Sequence, residues 1–205
     1  MCASRPPSAK ALETREKILD TATRLFYIHG YNATGVDRII AETGVSKGNF
    51  FYQFKSKEEL AIRVLDWHRE KMQAELAELA DTYATTPREH LLAIIKTIAR
   101  KSANYNESCD IRGCIFGNFA MEMSVENREV RIKVLEILSE FRQNMENLLI
   151  QAVQQQELTD NFDCHHTAGI ILCQIQGALL LDKAAQEARE TDGVIRFVSA
   201  LLKLA

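Results

Sequence analysis

Residues 44–60 read GVSKGNFFYQFKSKEEL, and this stretch leaves the surrounding chain few ways to fold. Gly44 can turn through a left-handed backbone at no steric cost. Ser46 follows with a hydroxyl suited to an N-cap, so a short helix is expected over 47–53. Phe50, Phe51, Tyr52 and Phe54 are too many aromatics for so short a helix to bury all of them. Ser56 then caps again, with Glu58 and Glu59 in the first turn of a longer helix, where carboxylates suit the positive end of the dipole. A short helix between a turn and a second cap can project into a DNA major groove.

Upstream, Ile18, Leu19, Ala22, Leu25 and Phe26 share one face of a helix expected over 14–29, with Thr14 as its cap and Gly30 as its end. Thr34 is placed to cap a helix over 36–43, whose apolar face is Val36, Ile39 and Ile40. The head therefore spans 14–55 with three helices. Residues 1–13 include Arg5, Pro6, Pro7, Ser8 and Lys10 without an apolar run, which reads as a disordered arm and not a signal peptide.

This pattern resembles the helix-turn-helix signature of the TetR family of bacterial transcriptional regulators. The shared residues are Gly44, Val45, Ser46, Lys47, Gly48, the run Phe50, Phe51, Tyr52, then Phe54 and 55–60, together with Thr14, Arg15, Ile18, Leu19, Ala22, Leu25, Phe26, Gly30 and Tyr31. Two positions depart from it. Phe51 stands where the family often has Tyr, removing a hydroxyl for phosphate, and Ile40 stands where a small Ala is frequent. On this reading double-stranded DNA is the partner. Ser46, Lys47 and Asn49 face base edges, Gly48 allows close approach, and Thr34, Phe51, Tyr52 and Lys57 lie along the backbone, with Phe50 and Phe54 as core.

Charge is shared unevenly in the same sense. Residues 1–60 hold 9 Lys and Arg against 7 Asp and Glu, and residues 61–205 hold 16 against 21, giving +2 and −5 and the net −3 of the chain. A few well-placed contacts are enough for DNA, so a basic protein is not required.

The body, 56–205, is expected to be all-α, with helices over 56–81, 87–104, 111–123, 127–156, 163–189 and 192–204, about nine in the whole chain. Thr86, Asn127 and Asp163 are the caps. Only three prolines and nine glycines favour helices over sheets. No 18-residue apolar run is present, so no membrane span is expected, and the chain is read as cytoplasmic. Five scattered cysteines, Cys2, Cys109, Cys114, Cys164 and Cys173, do not form a disulfide framework. The His165–His166 pair is read as solvated and not as a metal site, so no metal or other cofactor is expected.

Between the body helices, Trp67, Tyr83, Tyr105, Phe116, Asn118, Phe119, Met121, Phe141, Gln174 and Gln176 mix large apolar and polar groups. They suit a cavity for a small apolar inducer as well as an ordinary core. The helix over 163–189 is apolar on nearly every side, and with Leu179 and Phe197 it points to a twin subunit as cover. The resemblance implies the same: a homodimer through a four-helix bundle of the last two helices, acting as a repressor. Cys114 after Gly113 and Arg112, with Lys183, looks like a TetR branch that senses electrophiles or oxidants. The alternative to a reversible ligand is thus a thiol switch at Cys114. No arrangement of acids, nucleophiles or phosphate loops points to an enzyme.

Overall fold

A computed structural model describes residues 8–83, 86–103 and 110–204, and among these there are nine helices and no strand. Helix α1, Ala9–His29, begins earlier than expected because Ser8, not Thr14, caps it, accepting from the Ala11 amide at 3.3 Å. Thr14 instead bonds back to the Lys10 carbonyl at 2.8 Å. What orders residues 8–13, against the expectation of a disordered arm, is contact with the third helix. Gln53 Nε2 donates to the Ala11 carbonyl at 3.0 Å, and Arg15 donates to the Gln53 carbonyl at 3.1 Å while lying over the Phe54 ring.

Helices α2, Val36–Thr43, and α3, Lys47–Gln53, have the bounds the sequence dictates. Gly44 makes the turn with φ +67° and closes α2 onto the Ile40 carbonyl at 2.9 Å. Ser56 caps α4, Lys57–Tyr83, accepting from the Glu59 amide at 3.1 Å, and the Glu59 carboxylate returns to the Lys55 amide at 2.9 Å. Thr86 caps α5, Pro87–Ala103, and Asn127 caps α7, Arg128–Gln154.

Helix α6, Ile115–Met123, is shorter than expected, because Gly113 at φ +75° breaks the helical path and leaves Cys114 as N-cap. Ile115, Phe116, Phe119 and Met123 of this helix are buried, and Met121 is exposed. Asp163 caps α8, Cys164–Ala185, which stops at the left-handed Gln186 instead of near residue 189. Helix α9, Glu190–Leu204, starts where buried Asp182 of α8 accepts from the amides of Arg189, Glu190 and Thr191.

The head and the body share one core. Ile18, Phe26, Phe50 and Phe54 of the head join Leu60, Val64, Phe116, Phe119 and Phe141 in a single buried cluster, so α4, α6 and α7 form the floor on which the head rests. Each fully buried Phe or Leu contributes roughly 1.5–3 kcal/mol against exposure. A second cluster, with Leu91, Met145, Ile171, Leu179 and Leu202, joins α5, α7, α8 and α9.

Helix α8 is long and apolar enough to cross a membrane by length and composition, with mean hydropathy 1.3, although it holds no unbroken apolar run of 18 residues. In the fold it lies along α7 and α9. Its outer face carries Ile170, Cys173, Leu180 and Leu181, all exposed, beside exposed Phe197 of α9. Leu179 is not part of that face. It is 2% exposed and belongs to the second core cluster, so its expected place in a dimer seam is corrected: one residue along a helix turns the side chain by about 100°.

Candidate nucleic-acid interface and ligand cavity

Helix α3 is anchored by Phe50 and Phe54, both wholly buried, with Phe50 and Phe51 in edge contact at 5.3 Å. That anchoring turns the other face outward. Ser46, Lys47, Gly48, Asn49, Phe51 and Tyr52 are all exposed, and the Tyr52 ring is 76% exposed. Ser46 Oγ caps α3 by accepting from the Asn49 amide at 3.2 Å. A Cβ built on Gly48 would meet nothing within 4 Å, so nothing inside the protein demands glycine there. Lys47 is within 3.4 Å of Asp37 in an exposed pair, an interaction of little energy in water.

Two of the expected backbone contacts stand differently. Thr34 is wholly buried, and its hydroxyl donates to the Gly30 carbonyl at 2.8 Å. Gly35 takes the N-cap position of α2 instead. Thr34 therefore stabilises the α1–α2 turn, and its side chain has no surface from which to reach a phosphate. Lys57 is half-buried at the start of α4, its ammonium 4.0 Å from the centre of the Tyr31 ring. Burial lowers its pKa, with Glu58 and Glu122 acting against that shift.

In the body, a cavity of about 430 Å³ opens between α4, α5, α7 and α8, closed on one side by the segment leading into α6. Its apolar walls include Met72, Ile98, Phe116, Phe141, Met145, Leu172, Ile175 and Leu179, and its polar ones Tyr27, His68, Lys101, Cys114 and Gln176. A neighbouring chamber of about 290 Å³ shares Ile98, Phe141 and Met145 with it. Volumes of this order take small ligands.

Of the residues expected at a ligand, Phe116 and Phe141 line the cavity. Trp67, Phe119 and Gln174 do not. Trp67 packs at the edge of the core under Lys71. Phe119 is buried against Phe26 and Tyr31 at the joint of head and body. Gln174 turns to the outer face of α8, where its Oε1 is buried without a hydrogen-bond partner among the described residues. Tyr105 lies outside the described residues.

His68 lies on the amphipathic α4, where a partly solvated histidine is the ordinary outcome. It lines the cavity instead, stacked near Tyr27 and edge-on to Phe116 at 5.5 Å. Burial, helped by the charges of Lys101 and Lys71, lowers its pKa to about 4, so the ring is neutral. The signal was in the sequence: Leu60, Val64, His68, Met72 and Leu76 recur in steps of four on α4.

Cys114 is the N-cap of α6, where the helix dipole and a neighbouring Arg112 could favour a thiolate, but its surroundings act the other way. Burial pushes its thiol pKa up, although the Gly117 amide and the Gln176 side chain act in the opposite sense. Arg112 faces away, donating to the Ile28 carbonyl at 3.2 Å and pairing with Asp110. Lys183 donates to Asn118 Oδ1 at 2.8 Å. Among the described residues no group of three His, Cys, Asp or Glu side chains is placed to hold a metal ion.

The cavity also touches the head directly. The Tyr27 hydroxyl near the end of α1 donates to the Gly113 carbonyl, and Arg112 binds the last turn of the same helix. From α6, the Glu122 carboxylate accepts from the Asn32 amide at 2.9 Å. It stands so close to Gly30 that an added Cβ would be 2.8 Å from Oε1, and Gly30 has φ +83° besides.

Comparison with known proteins agrees with this architecture. Residues 18–64 match the family described as bacterial regulatory proteins, tetR family, and residues 87–198 match the tetracyclin repressor-like C-terminal domain. The chain is 29% identical over 192 residues to the HTH-type transcriptional regulator LmrA of Bacillus subtilis, covering 93% of this chain and 97% of that protein. It is 31% identical over 179 residues to an uncharacterised HTH-type regulator in the lacX 3′ region of Lactococcus lactis, with 85% of each chain covered. The crystal structure of a TetR transcriptional regulator from Chloroflexus aurantiacus superposes with a TM-score of 0.83 at 25% identity, over 94% of this chain and 96% of that one.

Proposed function

The chain belongs to the TetR family of bacterial regulatory proteins and is a DNA-binding transcriptional regulator with a helix-turn-helix head, and from that premise we propose that it is a cytoplasmic homodimeric repressor released from a palindromic operator by a small, mainly apolar ligand. Residues 14–55 act as the reading head and 56–205 as the ligand-binding and dimerisation unit.

The observation that carries this reading is the joining of an outward-facing α3 to a cavity through one continuous core. Ser46, Lys47 and Asn49 read base edges, Gly48 lets the helix sit deep in the groove, and Phe51, Tyr52 and Lys57 hold the backbone. A ligand releases the operator because it binds more tightly to the arrangement in which the two heads are wrongly spaced. Cys114 lines the cavity with its thiol pKa pushed up, which favours this reversible ligand over a thiol switch.

Fluorescence anisotropy on the operator tests the head. Affinity falls steeply with salt, as phosphate contacts require. Asn49→Ala relaxes sequence preference with a loss of about 1–3 kcal/mol at one base step, whereas Lys57→Ala weakens all DNA alike. If both variants bind operator and random DNA as the parent does, α3 is not the reading helix.

A further inference from the structure

The polar edge of the main cavity has a definite electrical sign. Its charged lining residues are Arg100 and Lys101, and no carboxylate is among the described residues that line it. Lys101 pairs with Glu75, which does not line the cavity. The ring of His68 faces the same space, and neither of its nitrogens has a hydrogen-bond partner among the described residues. The two charges that act on that ring are Lys101 and Lys71, and no carboxylate opposes them. An organic cation placed here would meet Arg100 and Lys101, with no carboxylate among the described lining residues to receive it. An anion would meet the ammonium of Lys101, a side chain 40% exposed and shared with Glu75, and the imidazole of His68.

Resting on the reading of this cavity as the inducer site, we propose that the inducer is an amphiphilic weak acid: an aromatic or alicyclic body held between Phe116, Phe141 and Ile175, with one carboxylate or phenolic oxygen at the edge formed by Lys101 and His68. Phe116 and Phe141 stand 5.5 Å apart in edge contact and offer ring faces and edges to a flat body. The volume of about 430 Å³ suits roughly two or three fused rings.

Three probes with one naphthalene body test the sign: a naphthalene carboxylate, the corresponding methanol and the corresponding methylammonium. Each is titrated calorimetrically into the full-length dimer. The carboxylate binds at least about tenfold tighter than the methanol, and the methylammonium binds weakest. Lys101→Met removes the advantage of the carboxylate while leaving the methanol unchanged. Glu75→Gln, which frees the Lys101 ammonium without touching the cavity wall, increases it. Equal binding of all three probes, or a carboxylate advantage indifferent to both variants, overturns the acidic head and leaves the cavity as an inducer site. A methylammonium that binds tightest overturns it outright. If no probe binds up to about 1 mM, the cavity reading fails too, and this inference falls with it.

Discussion

His68 sits where three demands meet: an α4 position that points inward, an apolar wall, and two neighbouring ammonium groups. Because the folded state holds its pKa near 4 while the unfolded chain has the ordinary 6.5, the unfolded state takes up the proton more readily. The contribution of this group to stability is therefore complete above about pH 6.5 and is lost as the pH falls from there towards 4. Urea unfolding at about pH 7.5 and about pH 5 is expected to differ by roughly 2 kcal/mol more for the parent than for His68→Gln. An equal acid loss in both proteins would show that the ring titrates freely. The same residue marks a limit of reading side chains from sequence. The periodicity of α4 gave its direction, but only the meeting of α4 with α5 and α6 tells a cavity wall from solvent. Thr34 shows the converse. Its position before a helix suits a cap, yet the turn folds its hydroxyl back onto Gly30 and leaves Gly35 to start α2.

Elements were legible where a cap or a turn glycine marked their ends, as for α2, α3, α5 and α7, but not at α6, where Gly113 falls inside the expected helix, nor at the Ser8 cap of α1. They were missed where a partner distant in sequence sets the end. Gln53 stabilises the first turn of α1, and Asp182 provides the start of α9. The route from cavity to head is likewise a matter of packing. From chain order alone α4 is the natural mechanical link, since it follows the head directly. The structure adds α6, which holds the α1–α2 turn through Glu122 while its leading segment holds Tyr27. A ligand displacing Cys114 or Phe116 would pull on both. Glu122→Ala is expected to leave operator affinity within about threefold but to reduce the effect of inducer by about 1 kcal/mol or more in coupling, measured as the ratio of operator affinities with and without ligand. An unchanged ratio would return the transmission to α4 alone.

At the scale of the whole molecule, the outer face of α8 and α9 is the least finished surface of the protomer. Ile170, Leu180, Leu181 and Phe197 are 41%, 48%, 55% and 48% exposed, and a Cβ on Gly177 or Gly193 would meet nothing within 4 Å. A shallow depression there runs past Gln174, Gly177, Leu181 and Phe197, with the unpartnered Gln174 Oε1 beneath it. A two-fold partner laid across this face would cover these side chains and bring a donor towards Gln174, and a stable interface of this kind buries about 800 Å² per subunit. Phe197→Glu and Leu181→Glu are therefore expected to give folded monomers with unchanged helical content. Leu179→Glu is expected to unfold the protein, because that side chain is 2% exposed in the core. A monomer presents one α3 to one half-site, and tight binding needs two half-sites about 34–36 Å apart. The folded monomers should therefore lose operator affinity by orders of magnitude while keeping non-specific affinity per head. Sedimentation with operator binding separates the possibilities. A dimer that survives both Phe197→Glu and Leu181→Glu would move the interface away from α8 and α9, and with it the geometry that sets the spacing of the two heads.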